Sequence, residues 1–295
     1  KIIPAFFRYF FCWTIFPNNR CNPKPINVNI STMCLIIFAH QADPRYRLIV
    51  AANRDELFAR ATNHAHFWTE FDKKPQILAG KDLVAGGTWL GLARSGRFAA
   101  VTNIRDPSQP EKKPKSRGQL TLDFLAGDQS PLDYCGMLQE HFNEFAGYNL
   151  LVGDKHSMCY VNNFEEKLIE LKPGIYGLSN GLLNSSWPKI AKGRDSLKEL
   201  LTSDVQEDSV STDRLIDMMN DRSLVKVEDL PDTGIPKELE HRLSPAFIQN
   251  QQRQYGTLCT SAVIIENLGV SRFSEQNYDK SGKATERIFF EFNLV

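Results

Sequence analysis

Apolar residues in this chain gather into short runs separated by polar turns, a pattern that predicts many strands with helices between them. Two such runs, Cys34-Leu35-Ile36-Ile37-Phe38-Ala39 and Leu48-Ile49-Val50-Ala51-Ala52, flank the turn-type cluster Asp43-Pro44-Arg45. They predict two strands joined by a loop. The first starts at Cys34, directly after Met33, and the second runs into the polar cluster Asn53-Arg54-Asp55-Glu56. Neighbouring residues of a strand point to opposite faces, so Asn53 and Asp55 share one face and Arg54 takes the other.

Residues 57–69 lack a period and read as loop. Gly86-Gly87 predicts a sharp turn or a close backbone approach. A hairpin follows, 88–93 and 97–102 about Ser95-Gly96, with Trp89 in the core and Asn103 where the strand gives out. The spacing predicts helices over 119–126 and 131–145, then strands over 148–152, 157–161 and 166–171. Gly174-Ile175-Tyr176-Gly177-Leu178 is a short strand entering the polar corner Ser179-Asn180-Gly181, and Trp187-Pro188 opens a helix to 201. A polar linker (203–208), a helix (211–219) and a Pro- and Gly-containing loop (225–237) come next. Residues 245–251 read as helix or as a loop lining a site. Tyr255-Gly256-Thr257 leads into a strand to 265, and a terminal hairpin pairs 272–274 with 286–292 about a turn at 279–282.

Residues 1–33 differ from the rest. The stretch 2–16 is aromatic-rich but broken by Arg8, and it is shorter than the roughly 20 residues of a membrane span. It lacks the charged–apolar–small order of a signal peptide. We read 1–33 as an extension outside the mature chain, with Met33 as the initiator, and 34–295 as a single domain. A genuine extension is the alternative.

Composition narrows the function classes. The 295 residues are 42% hydrophobic and 24% charged, ordinary for a globular protein. Lys and Arg total 35, as do Asp and Glu, which gives no footprint for nucleic acid or an anionic membrane. The basic run Lys112, Lys113, Lys115, Arg117 reads as a solvated loop, with anion binding as the alternative. Six cysteines are scattered without a Cys-x-x-Cys pair, so no zinc spacing exists and a reducing, cytoplasmic compartment is expected. His64 and His66 lack further metal ligands and read as surface histidines. No cofactor is expected. The expected partner is a small-molecule substrate or a hydrophobic ligand.

Cys34 carries the sharpest chemical possibility. If Met33 is the start and is removed, Cys34 gains a free α-amine. Such an amine titrates near pH ~7.7–8.0 and a thiol near ~8.5, so one residue would hold both nucleophile and base. An amide nitrogen cannot be that base. The structural alternative is a buried cysteine at a strand start.

Met33-Cys34-Leu35-Ile36 with Asn53-Arg54-Asp55-Glu56, Gly86-Gly87-Thr88-Trp89-Leu90-Gly91, Tyr176-Gly177-Leu178-Ser179-Asn180 and Tyr255-Gly256-Thr257 resembles the NRDE family. Its eukaryotic members are called transport and Golgi organisation protein 2. The likeness spans about 34–292. That family in turn resembles N-terminal nucleophile hydrolases of the cholylglycine hydrolase and penicillin V acylase type. The resemblance implies an α+β fold, a four-layer αββα sandwich of two mostly antiparallel sheets. It also implies Cys34 as nucleophile, Asp55 as the carboxylate orienting its amine, and Asn103 and Asn180 as oxyanion donors. Asn53, Arg54, Glu56 and Trp89 become substrate-binding or structural residues, with Arg54 and Glu56 a pair. The implied reaction is cleavage of a small amide or ester through a thioester. Two departures stand out: Leu258 follows Tyr-Gly-Thr where many members have arginine, and Ala52 stands where the hydrolases carry one. They suggest a substrate unlike bile-acid amides or penicillins. The competing implication is a non-catalytic lipid- or haem-handling protein of membrane trafficking.

Overall fold

A computed structural model describes residues 34–69, 76–106, 113–203 and 210–295. The expectations for 1–33 and for the linker at 204–208 lie outside these. Strands β1 (Cys34–Asp43) and β2 (Tyr46–Leu57) are the hairpin anticipated from the apolar runs. They pair antiparallel with Ile36 opposite Ala52 and Phe38 opposite Val50. Asp43 closes the turn by accepting from the Arg45 backbone N–H at 2.9 Å.

The next strands form a second sheet: β3 (Thr62–Phe67), β4 (Ile77–Asp82), β5 (Leu90–Ala93), β6 (Phe98–Asn103), β7 (Tyr148–Gly153), β8 (Met158–Asn162) and β9 (Lys167–Glu170). It is an antiparallel meander in chain order. Helices α1 (Arg117–Ala126) and α2 (Pro131–Leu138) interrupt it between β6 and β7. The chain then returns to the first sheet with β10 (Gly174–Leu178). Helices α3 (Pro188–Ser203), α4 (Thr212–Met218) and α5 (Lys237–Arg242) follow. The two-residue β11 (Gln249–Asn250) precedes β12 (Tyr255–Glu266), β13 (Val270–Tyr278) and β14 (Ala284–Asn293). The first sheet has the order β10-β1-β2-β12-β13-β14, with β11 beside β12.

Alternate side chains of each sheet enter different cores, and this sets the layers. Ile36, Phe38, Leu48 and Val50 pack against Leu78, Leu92, Phe98 and Leu151 between the sheets. Leu35, Ile37, Ile49 and Ala51 face the other way, against Ile190, Leu197, Leu215 and Ile216 of α3 and α4. On the far side, Ala99, Val101, Leu150 and Val152 meet Leu120, Phe124 and Leu138 of α1 and α2. The architecture is therefore the expected α+β four-layer sandwich. Strands buried on both faces read as unbroken apolar runs, which is why β1, β2 and β7 stand out in the sequence.

Several elements differ from expectation. Residues 57–69 are not all loop, because β3 lies at the edge of the second sheet, where only Ala65 is buried and no apolar run is needed. Strand β4 was not anticipated; Gly80 interrupts its pattern because the Trp89 ring lies where a Cβ would stand, 2.2 Å away. The strand expected from 88 begins at Leu90. The helix expected over 131–145 ends at Leu138 and continues as a 3-10 turn, Gln139–Glu144. Residues 245–248 are irregular, 249–250 form β11, and Gln251 opens a 3-10 turn, Gln251–Arg253. Gly86-Gly87 does serve close approach: a Cβ on Gly87 would sit 2.4 Å from the Gly118 carbonyl carbon.

Candidate functional site

The start of β1, the ends of β2, β6 and β10 and the start of β12 converge at one end of the sandwich. A cleft of about 440 Å³ opens there, with Cys34, Arg54, Asp55, Glu56, Trp89 and Asn103 among its lining residues. Cys34 pairs with Arg54 across β1 and β2, so both side chains share the inter-sheet face. The Cys34 carbonyl accepts from Ser179 Oγ at 2.8 Å, which pins the strand start to the corner after β10. Burial, with the Asp55 charge adding, pushes the thiol up to about 12; the Asp55 backbone N–H, which donates to the sulfur, and Arg54 oppose this.

Asp55 approaches the same strand end from the opposite face. Its neighbour two residues back, Asn53, donates to the carbonyls of Met219 and Ala246 at 2.9 and 2.8 Å, on the helix side of the sheet. Leu35 is opposite Asn53 and Cys34 opposite Arg54, so the next place in register, opposite Asp55, lies just beyond the Cys34 nitrogen. Asp55 is fully buried. One carboxylate oxygen accepts from Thr257 Oγ1 at 2.6 Å. The other, Oδ2, has no hydrogen-bond partner among the described residues. Burial pushes this carboxyl up to about 7, while the charge of Lys189 and the Thr257 hydroxyl hold it down. A bulge between Thr257 and Cys259 makes Leu258 the extra residue of β12 beside the site.

Asn103 and Asn180, far apart in the chain, meet here. Asn180 Nδ2 donates to the Asn103 carbonyl at 2.9 Å, and the Asn180 carbonyl accepts from the Arg105 backbone N–H at 2.8 Å. Thr102 Oγ1 donates to the Ser179 carbonyl at 2.6 Å, and Asn149 Nδ2 donates to the Gly181 carbonyl at 2.8 Å. Every contact in this set ties β6, the segment just after it, or β7 to the corner after β10 of the other sheet. Asn103 lines the cleft, whereas Asn180 lies buried behind it at 1% exposure.

The remaining anticipated residues divide. Asn53 faces the helices and also accepts from Thr260 Oγ1 at 2.6 Å, so it is placed as a structural residue. Arg54 and Glu56 both line the cleft, 4.0 Å apart. Trp89 is half-buried rather than a pure core residue: it packs on the inter-sheet core, lines the cleft and carries the Arg54 guanidinium 4.2 Å from its ring centre. The basic run is not simply a solvated loop, since Lys113, Lys115 and Arg117 form a wall of the cleft; Lys112 lies outside the described residues. Lys115 pairs with Glu144, and Arg117 donates to the Gly147 carbonyl at 3.2 Å. All six histidines lie in the described residues and none lines the cleft, which removes a Cys–His arrangement there. Among the described residues no group of three or more His, Cys, Asp or Glu is placed to hold a metal. No described helix is long and apolar enough to cross a membrane.

Sequence reasoning missed Ser179, Thr257 and Lys189. The first two sit inside motifs already singled out, so their neighbours were the signal. Lys189 gave none, because a lysine in the first turn of a helix ordinarily reads as solvent-facing.

The sequence model of a family described as "Transport and Golgi organisation 2" matches residues 33–280. The Transport and Golgi organization 2 homolog of Mus musculus is 32% identical over 284 residues, covering 89% of this chain and 99% of the relative. Among solved structures, a variant of conjugated bile acid hydrolase from Clostridium perfringens aligns with a TM-score of 0.45 and 12% identity, covering 89% of this chain and 98% of that one. The Caenorhabditis elegans ortholog of N-acylethanolamine-hydrolyzing acid amidase aligns with a TM-score of 0.48 and 10% identity, covering 78% of this chain and 92% of that one.

Proposed function

The chain belongs to the Transport and Golgi organisation 2 family, and from that premise we propose that it is an N-terminal cysteine hydrolase, cleaving a small-molecule amide or ester through a thioester. The observation that carries this reading is the strand end itself. Cys34 lines the cleft, and Asp55, one place beyond Arg54 in the register with Cys34, has a carboxylate oxygen without a hydrogen-bond partner among the described residues. A carboxylate there is suited to receive and orient an α-ammonium group.

With Met33 removed, the amine of Cys34 takes the thiol proton. The thiolate adds to the substrate carbonyl, and Asn103, positioned by Asn180, donates to the oxyanion as it forms. Collapse breaks the C–N or C–O bond, and the leaving group takes the proton back from the ammonium. Water, deprotonated by the same amine, then hydrolyses the thioester, and the acid departs with the thiol restored. The basic wall of Lys113, Lys115 and Arg117 fits a substrate with an anionic or strongly polar end.

Trapping tests the reading. Protein beginning at Cys34, mixed with activated acyl probes, gains the acyl mass on Cys34, and Cys34→Ser loses that thioester. No acyl adduct on any probe, with the amine demonstrably free, contradicts it.

One observation favours a second reading for an unprocessed chain. With Cys34 in amide linkage to Met33 and its thiol pushed up to about 12, no activated nucleophile exists. Such a chain is a non-catalytic binder whose cleft holds a lipid- or haem-like ligand, and Cys34→Ser leaves that binding intact.

A further inference from the structure

Behind the first sheet, on the face away from the cleft, lies a set of buried charges that the reaction as written does not use. Lys189 enters from the first turn of α3 and is 7% exposed. Its ammonium donates to the Leu243 carbonyl at 3.3 Å and lies 5.8 Å from the Trp187 ring centre. Neither contact matches a buried positive charge, which needs a counter-charge. Arg105 and Glu240, also nearby, satisfy one another through bonds of 2.7 and 2.8 Å. Asp55 meets the same segment, 243–248, that Lys189 reaches through the Leu243 carbonyl: Asn53, on the face of β2 that Asp55 shares, donates to the Ala246 carbonyl, and Thr257, which donates to Asp55, accepts from the Ile248 N–H. The second carboxylate oxygen of Asp55, Oδ2, has no hydrogen-bond partner among the described residues. Both residues therefore hold unmatched buried charge on the helix side of the same strand end.

We propose that Lys189 is a positioning residue: its ammonium keeps the Asp55 carboxylate ionised and directed at the Cys34 nitrogen. The proposal deepens the hydrolase reading and rests on it for its catalytic meaning. Each group's electrostatics agrees with the geometry. For Asp55, the charge of Lys189 is the chief influence opposing burial. For Lys189, burial pulls the ammonium down to about 8, Arg105 adds to this, and Asp55 is the chief charge opposing it. The charged and titratable groups facing Lys189 are Asp55 from β2, Cys34 from β1, Arg105 from the segment after β6, and Glu240 from α5.

Carbon NMR of the full-length chain, labelled at its aspartate carboxyl carbons, tests this without any turnover. The Asp55 signal is assigned by its loss in Asp55→Asn. Removing an opposite charge from beside a carboxylate moves its midpoint by about one to three pH units. Lys189→Met is expected to raise the Asp55 midpoint by that amount, and Lys189→Gln, which keeps a donor for the Leu243 carbonyl, is expected to do the same. Lys189→Arg is expected to keep the wild-type midpoint. An Asp55 titration unmoved in the folded neutral variants overturns the proposal. If the titration responds but Cys34 forms no thioester, the pairing stands and the hydrolase reading falls. If thioester forms and the titration is unmoved, the pairing alone falls.

Discussion

Cys34 and Asp55 reach one strand end from opposite faces of a sheet, and that split separates two tasks. In the proposed reaction the thiol is the cleft-facing nucleophile and the carboxylate orients the nitrogen. A carboxyl in so dry a place affects stability as well as orientation. The folded-state value of Asp55 is raised to about 7, against about 3.9 in an unfolded chain. The native state therefore binds more protons than the unfolded state between these values, and stability falls as pH rises through that window. Asp55→Asn removes this penalty and can still accept from Thr257. Its melting temperature should gain on the wild type as pH rises from about 4 to about 7. A difference that stays constant across this range contradicts the assignment. Asn103→Ala should slow thioester formation by about a hundred- to a thousandfold, measured by quenched-flow mass spectrometry. Loss of binding with an unchanged acylation rate would contradict its role as an oxyanion donor.

At the scale of elements, the site depends on how the ends of β6 and β10 are joined and on how closely the Gly86-Gly87 turn packs on α1. Gly87→Ala forces a Cβ against the Gly118 backbone, where no side chain can move aside. Overpacking of this kind costs about 1–3 kcal/mol. Urea unfolding should show that loss, and an unchanged midpoint would mean the two segments part easily. The same elements show what the sequence made legible. Strands buried on both faces, such as β1 and β2, announce themselves as apolar runs, and Asn53-Arg54-Asp55-Glu56 is conspicuous at the end of one. Edge strand β3 buries too little to leave a pattern, and Gly80 hides β4 because the ring of Trp89, the residue just before β5, takes the place of a side chain there. Lys189 was illegible for a related reason. Its burial comes from Leu243 and Trp187 closing over it, and no local pattern reports that. Cys34 and Asp55 could be read from the family motif, whereas the cation behind them needed the fold.

For the molecule as a whole, the four layers bring the ends of both sheets to one cleft, and the start of the first strand lies within it. That placement has chemical consequences only if the strand's first residue has a free amine. The first measurement is therefore the intact mass and N-terminal sequence of protein expressed from the native gene. The hydrolase mechanism requires a chain that begins at Cys34. A chain that retains Met33, or any residue before it, contradicts the hydrolase mechanism and leaves the cleft as a binding site.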